Sequence, residues 1–151
     1  MYKKILVPLD GSGRAEVILP HVEELAHNFA AKVIFLQVIE PVPVQVVPDG
    51  YVSDVRVDAA SQESVINVAQ SYLDGLRGEF RQKGIQAKSF VEQGPIVKTI
   101  INVAEREGVE LIAMTSHGRS GLSRVFYGSV AAGVLNLVAR PLLLIRARRV
   151  V

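Results

Sequence analysis

Two short stretches carry the residue types that could do chemistry, and both are rich in glycine and small polar side chains. One runs Val7-Pro8-Leu9-Asp10-Gly11-Ser12-Gly13, the other Met114-Thr115-Ser116-His117-Gly118-Arg119-Ser120-Gly121, with Gly128-Ser129-Val130 shortly after. Glycine lets a ligand approach the backbone closely, and amides at a helix N-terminus point outward with partial positive charge. If a helix starts at Gly128-Ser129, its first amides and the Ser129 hydroxyl can hold phosphate oxygens, with Arg119 and Arg124 adding charge. The ordinary alternative is a surface loop followed by a serine N-cap. Residue chemistry alone leaves these two readings level. Asp10 is open in the same way: it is either a ligand contact or a cap for the helix that follows.

Other chemistries have less support. Two of the three histidines, His21 and His27, fall within a helical stretch and read as structural or surface residues. His117 lies in the glycine-rich loop, but no carboxylate stands near it in sequence to set its tautomer or basicity. No nucleophile–base pair and no metal-ligand spacing is visible, and cysteine is absent, which excludes disulfides and thiolate metal sites. The chain is therefore not read as an enzyme. No G-x-x-x-x-G-K-[ST] occurs, so a P-loop is excluded. Gly11-Ser12-Gly13 with Glu40 downstream begins like a dinucleotide fingerprint, yet Glu16 occupies the third glycine position. A receiver domain would need clustered acids at strands one and three and a lysine near strand five, and these are not evident.

The positioning elements follow from hydrophobic periodicity. Five apolar runs, 4–9, 32–39, 87–91, 110–115 and 141–145, read as buried strands. Between them, apolar residues recur at helical spacing, as in Val17, Ile18, His21, Val22, Leu25, Ala26 and Phe29. Later helices are expected over 60–82, 95–107 and 129–139. Pro95 suits a first helical turn, and Gly84 and Gly108 suit helix stops. Pro20 implies either a kinked first helix or one that begins near Leu19.

This alternation predicts an α/β fold over 1–151 as one domain. The expected architecture is a single open five-stranded parallel sheet, order 3-2-1-4-5, with helices on both faces, flavodoxin-like. In such a sheet, ligands bind beyond the strand C-termini where the strand order reverses, here at strands one and four. Both glycine-rich stretches lie there. A long connection, 40–59, holds Pro41, Pro43 and Pro48 with Val42, Val44, Val46, Val47, Tyr51 and Val52, and is expected to pack on a ligand, another subunit or its own domain.

With 151 residues, 49% of them hydrophobic, the chain can bury a core without staples. Net charge is +2 and aromatics are 6%, so the footprint of a nucleic-acid binder is weak. No apolar run approaches the roughly 20 residues that span a bilayer, and the first one ends at Pro8-Leu9-Asp10, too soon for a signal peptide. Neither nucleic acid nor membrane is expected as a partner, and the expected location is cytoplasmic.

The segment Thr115 to Gly121 through Gly128-Ser129 resembles the nucleotide loop of universal stress proteins, whose ATP-binding branch carries G-x-x-G-x9-G-[ST]. Gly118, the nine residues after it and Gly128-Ser129 match that spacing. The opening Lys3-Lys4-Ile5-Leu6-Val7-Pro8-Leu9-Asp10-Gly11-Ser12 is similar to the family's first strand and turn, and Arg140-Pro141-Leu142-Leu143-Leu144-Ile145 to its last strand. The resemblance spans essentially the whole chain. It implies an adenine nucleotide alpha hydrolase-like fold binding ATP or AMP, with or without Mg2+, and at most slow ATP hydrolysis. Asp10 would face the adenosine, and Pro8 and Val38 would help wall the base. Ser116, His117, Gly118 and Arg119 would wrap the phosphates, with Ser129 and Val130 opposite them, and Leu9, Met114, Thr115, Ser120, Gly121 and Gly128 belong to the same nucleotide site.

One position departs from the pattern, because Thr115 stands where the ATP-binding branch has its first glycine. A positive φ there would strain a β-branched residue, whereas ordinary strand backbone would not. The expected function is a nucleotide-responsive stress or signalling module. The alternative is a family member that leaves the loop empty and acts through dimerisation and protein contacts. The resemblance also implies a homodimer through Pro141 to Ile145, so charged substitution at Leu143 and Ile145 is expected to weaken it, together with a protein partner that the sequence does not identify.

Overall fold

The computed structural model describes residues 1–41, 55–116 and 128–147, the side chains of 55–60 excepted. The chain runs β1 (Lys4–Pro8), a 3-10 turn (Ala15–Ile18), α1 (Leu19–Phe29), β2 (Lys32–Ile39), α2 (Val55–Gln82), β3 (Ala87–Gln93), α3 (Ile96–Arg106), β4 (Leu111–Thr115), α4 (Ser129–Leu137) and β5 (Leu142–Ile145). The five strands form one parallel sheet in the order β3-β2-β1-β4-β5, as expected. Ile5 of β1 stands opposite Val33 of β2 on one side and Leu111 of β4 on the other.

Because strand side chains alternate, the sheet feeds two separate cores. Ile5, Val7 and Leu9 join Val33 and Phe35 beneath α1 and α2, where Val22, Ala26, Leu73, Leu76 and Phe80 close the layer. The Phe35 and Phe80 rings meet edge to face at 5.0 Å. On the opposite face Leu6, Ile34, Leu36, Ile112 and Met114 pack under α3 and α4 through Ile100, Val103, Ala131 and Val134. The middle strands β1 and β4 are buried on both faces, which explains why their sequences are continuously apolar.

Pro20 neither kinks nor breaks the first helix. The 3-10 turn ends at Ile18 and α1 starts at Leu19, so Pro20 lies in a first turn whose amides have no intrahelical acceptor. Three expected helix bounds need correction. Pro95 is the N-cap of α3, with extended backbone at φ −61° and ψ 131°, rather than its first helical residue. Its carbonyl accepts the Thr99 amide at 2.9 Å. The second helix begins at Val55, not Ala60, so the valines at 55 and 57 that look strand-like belong to a helix. The fourth helix ends at Leu137, before Pro141. The Val42, Val44, Val46, Val47, Tyr51 and Val52 segment lies outside the described residues. Gly84 and Gly108 adopt positive φ just past α2 and α3, as helix stops do. Among the described residues no helix is long and apolar enough to cross a membrane.

Helix α4 packs close to α3 at Gly133, where an added Cβ would lie 2.7 Å from Val97 Cγ2. Alanine improves helix propensity by about 1 kcal/mol, but forcing a methyl group against a stiff β-branched side chain costs typically about 1–3 kcal/mol. Gly133→Ala is expected to lower stability by about 1 kcal/mol in chemical denaturation, a balance of those two effects. Pairing it with Val97→Ala should restore most of that loss.

Candidate functional site

The order β2-β1-β4 places the C-terminal ends of these strands side by side, and a cleft of about 720 Å3 opens above them. Its walls include Pro8, Leu9 and Asp10 from the end of β1, Val38 from β2, Met114, Thr115 and Ser116 from β4, and Gly128, Ser129 and Val130 at the start of α4. The sequence expectation gathers these residues from four separate segments, and the fold brings them together. His117, Gly118, Arg119, Ser120 and Gly121, together with Arg124, lie outside the described residues.

At the β1 end, the chain turns sharply through Gly11, whose φ of 81° is a left-handed conformation that glycine adopts without strain. The Asp10 carboxylate fixes the turn, accepting the Ser12 amide at 2.9 Å and the Ser12 hydroxyl at 2.6 Å. The Ser12 hydroxyl in turn accepts the Ala15 amide at 3.2 Å, so serine, not aspartate, meets the start of the 3-10 turn. Leu9 continues the β1–β2 ladder by donating its amide to the Leu36 carbonyl at 2.8 Å.

At the β4 end, Thr115 is a regular strand residue, buried and in register with Ile145. Among the described residues Ala30 is the sole non-glycine with positive φ. Threonine at this position is therefore unstrained, and its departure from the glycine pattern has no backbone cost. Ser116, 4% exposed, donates its amide to Ile145 and accepts the Gly128 amide on its carbonyl. Its hydroxyl is buried, with no hydrogen-bond partner among the described residues.

The serine N-cap considered above does not form. Gly128 is the N-cap of α4, and Ser129 is the first helical residue. The Gly128 carbonyl accepts the Ala132 amide at 2.9 Å. The amides of Ser129, Val130 and Ala131 precede that first intrahelical bond, and the glycine cap has no side chain to satisfy them. The cleft thus receives an uncapped helix N-terminus beside an unpartnered hydroxyl.

The sequence reading missed the wall on the α2 side. Val65, Val68, Ala69 and Tyr72 line the cleft together with Gln37, Ile39 and Glu40. Their helical spacing continues the stripe that buries Leu73 and Leu76, and Val68, 68% exposed, is an apolar side chain facing open space. The Tyr72 hydroxyl donates to Glu16 Oε1 at 2.6 Å. Burial, reinforced by that bond and by the Glu16 charge, holds the phenol well above its ordinary pKa, so Tyr72 stays a protonated donor. Gln37 had a legible signal, being the one polar residue within Val33-Ile34-Phe35-Leu36-Gln37-Val38-Ile39. Among the described residues no group of histidines and carboxylates is arranged to hold a metal ion.

Comparison with known proteins places the chain among relatives. The sequence profile described as the universal stress protein family matches residues 1–146. Universal stress protein MJ0577 of Methanocaldococcus jannaschii is 29% identical over 157 aligned residues, which cover 98% of this chain and 97% of that protein. The solved structure of MJ0577 is similar with a TM-score of 0.84, at 30% identity and 99% coverage of each chain. Universal stress protein UspA of Lactobacillus plantarum has a TM-score of 0.83 at 20% identity, covering 96% of this chain and 98% of its own. A universal stress protein of Archaeoglobus fulgidus, solved in complex with dAMP, has a TM-score of 0.61 at 18% identity, covering 95% and 98%. The last two likenesses establish the fold.

Proposed function

This chain belongs to the universal stress protein family, and we propose that it binds an adenine nucleotide, ATP or AMP, in the cleft above β1, β2 and β4 as a nucleotide-responsive stress or signalling module. The observation that carries this reading is the pairing of the buried, unpartnered Ser116 hydroxyl with the uncapped first turn of α4. A buried polar group without a partner is costly, and helix N-terminal amides attract anions. Phosphate oxygens satisfy both at once.

The apolar walls Pro8, Val38, Met114 and Ile100 suit a base and sugar, and the cleft is of the size small-molecule sites have. The dAMP held by the Archaeoglobus fulgidus relative supports a ligand of this class. Mg2+ would enter with the triphosphate, since the described side chains offer no metal cluster of their own. Nucleotide occupancy would then set the surface that a protein partner reads.

The test is a calorimetric titration of Mg-ATP into protein stripped of co-purified ligand. Saturable binding with one site per chain is expected. A folded protein that binds nothing up to millimolar ATP would end this reading and move the function to protein contacts.

Assembly as a homodimer through β5 is a second part of the proposal. That strand is an edge of the sheet, pairs on one side with β4, and has four half-buried apolar residues. The unpaired N–H and C=O groups of an apolar edge are a template for pairing with another strand.

A further inference from the structure

Gln37 points to the α1/α2 side of the sheet, because it shares strand parity with Val33 and Phe35, which lie in that core. There it lines the cleft, and its Oε1 is buried with no hydrogen-bond partner among the described residues. Its Nε2 lies 3.9 Å from where a Cβ on Gly11 would stand, which sets the carboxamide beneath the Asp10-Gly11 turn.

The cleft carries donors and acceptors on different strands. Uncapped amides line it at α4, which follows β4, while β2, separated from β4 by β1, brings the acceptors Gln37 Oε1 and Glu40. The nearby phenol donor of Tyr72 is already used by Glu16. An oxyanion placed among those acceptors would be repelled, whereas an N–H or O–H would be held. This orders the ligand along the cleft.

We propose that Gln37 is a specificity-determining residue whose Oε1 accepts a hydrogen bond from the nucleoside half of the ligand, with the phosphates directed toward α4. The inference rests on the nucleotide reading above. The donor is either the exocyclic amine of the base or a ribose hydroxyl, and ligand analogues separate the two. Neither Gln37 nor the α2 side figures among the positions that the sequence pattern marks.

The experiment titrates ATP, inosine triphosphate and the 2′- and 3′-deoxy forms of ATP into the wild-type chain and Gln37→Met, with thermal unfolding of both empty proteins. Gln37→Met should weaken ATP about tenfold, as loss of one ligand hydrogen bond does. It should also lose discrimination against the analogue that lacks the partner donor: inosine triphosphate for the amine, a deoxy form for the ribose. The empty variant should unfold at the same or a higher temperature, because a buried acceptor without a partner has been removed. A lower unfolding temperature with uniformly weaker binding would make Gln37 structural and overturn the proposal. Unchanged binding of every analogue would overturn it too, leaving the carboxamide to an ordered water only. If the wild-type chain binds no nucleotide, both readings fall; if it binds and the variant matches it, this one falls alone.

Discussion

Gly128→Asp will stabilise the empty protein and abolish tight nucleotide binding, two effects of opposite sign from one carboxylate. Gly128 is the N-cap of α4, with φ −46° and ψ 155°, a conformation open to any residue. An aspartate there supplies the missing cap and a favourable charge at the helix N-terminus, together worth about 0.5–1 kcal/mol. The same side chain occupies the amides offered to phosphate and brings a negative charge to meet it. Losing two charge-assisted hydrogen bonds, at about 1.5–3 kcal/mol each, should weaken Mg-ATP by about a hundredfold or more. Calorimetry reads the second effect and thermal unfolding the first. A variant that gains stability and still binds ATP like the wild type would show that α4 does not hold the phosphates.

Leu144→Pro will convert the proposed dimer to monomer, while Leu144→Ala leaves most of it assembled. The Pro141 and Ile145 carbonyls accept amides of Ile112 and Ser116, so the odd-numbered positions of β5 face β4. By alternation, the backbone groups of Leu142 and Leu144 face away from the sheet, toward any strand that pairs with the edge. Proline at 144 removes one outward donor without breaking the β4 ladder, the one strand setting in which proline is tolerated. In a symmetric interface the loss occurs twice. Each orphaned acceptor costs about 1–3 kcal/mol, so the dissociation constant should rise about thirtyfold or more. Alanine loses the same packing against the α3/α4 core but keeps the donor, so it isolates the backbone effect. Sedimentation of the two variants decides it; equal dimerisation would exclude pairing through β5.

These two variants probe different outputs of one fold. The cleft gathers its walls at the switch point between β1 and β4, and the proposed dimer edge, β5, is the next strand over. Ser116 connects them, with its amide on Ile145 of β5 and its carbonyl on Gly128 of α4. A ligand that draws the α4 N-terminus inward therefore acts on a residue hydrogen-bonded to the edge strand.

The sequence by itself determined the order and type of the elements, the parallel sheet and the place of the cleft. Continuous apolar strands can be buried only in a sheet covered on both faces, and helical stripes between them leave one arrangement of layers. It marked Asp10, Ser116 and Gly128 as well, because small and polar residues stand out after a buried strand. Tertiary structure decided what depends on three-dimensional neighbours. Whether Thr115 is strained turned on its backbone, which pairing with Ile145 holds in a regular strand. Pro20 was resolved by a 3-10 turn that ends one residue ahead of α1, and the first helix stops at Ala30, a left-handed alanine with no glycine to announce it. Gln37 gained its meaning from an Oε1 without a hydrogen-bond partner among the described residues, and Val65, Val68 and Tyr72 from the place of α2 in the cleft wall. Periodicity tells which way a side chain faces; what it meets there depends on residues far away in sequence, and those contacts exist only once the chain has folded.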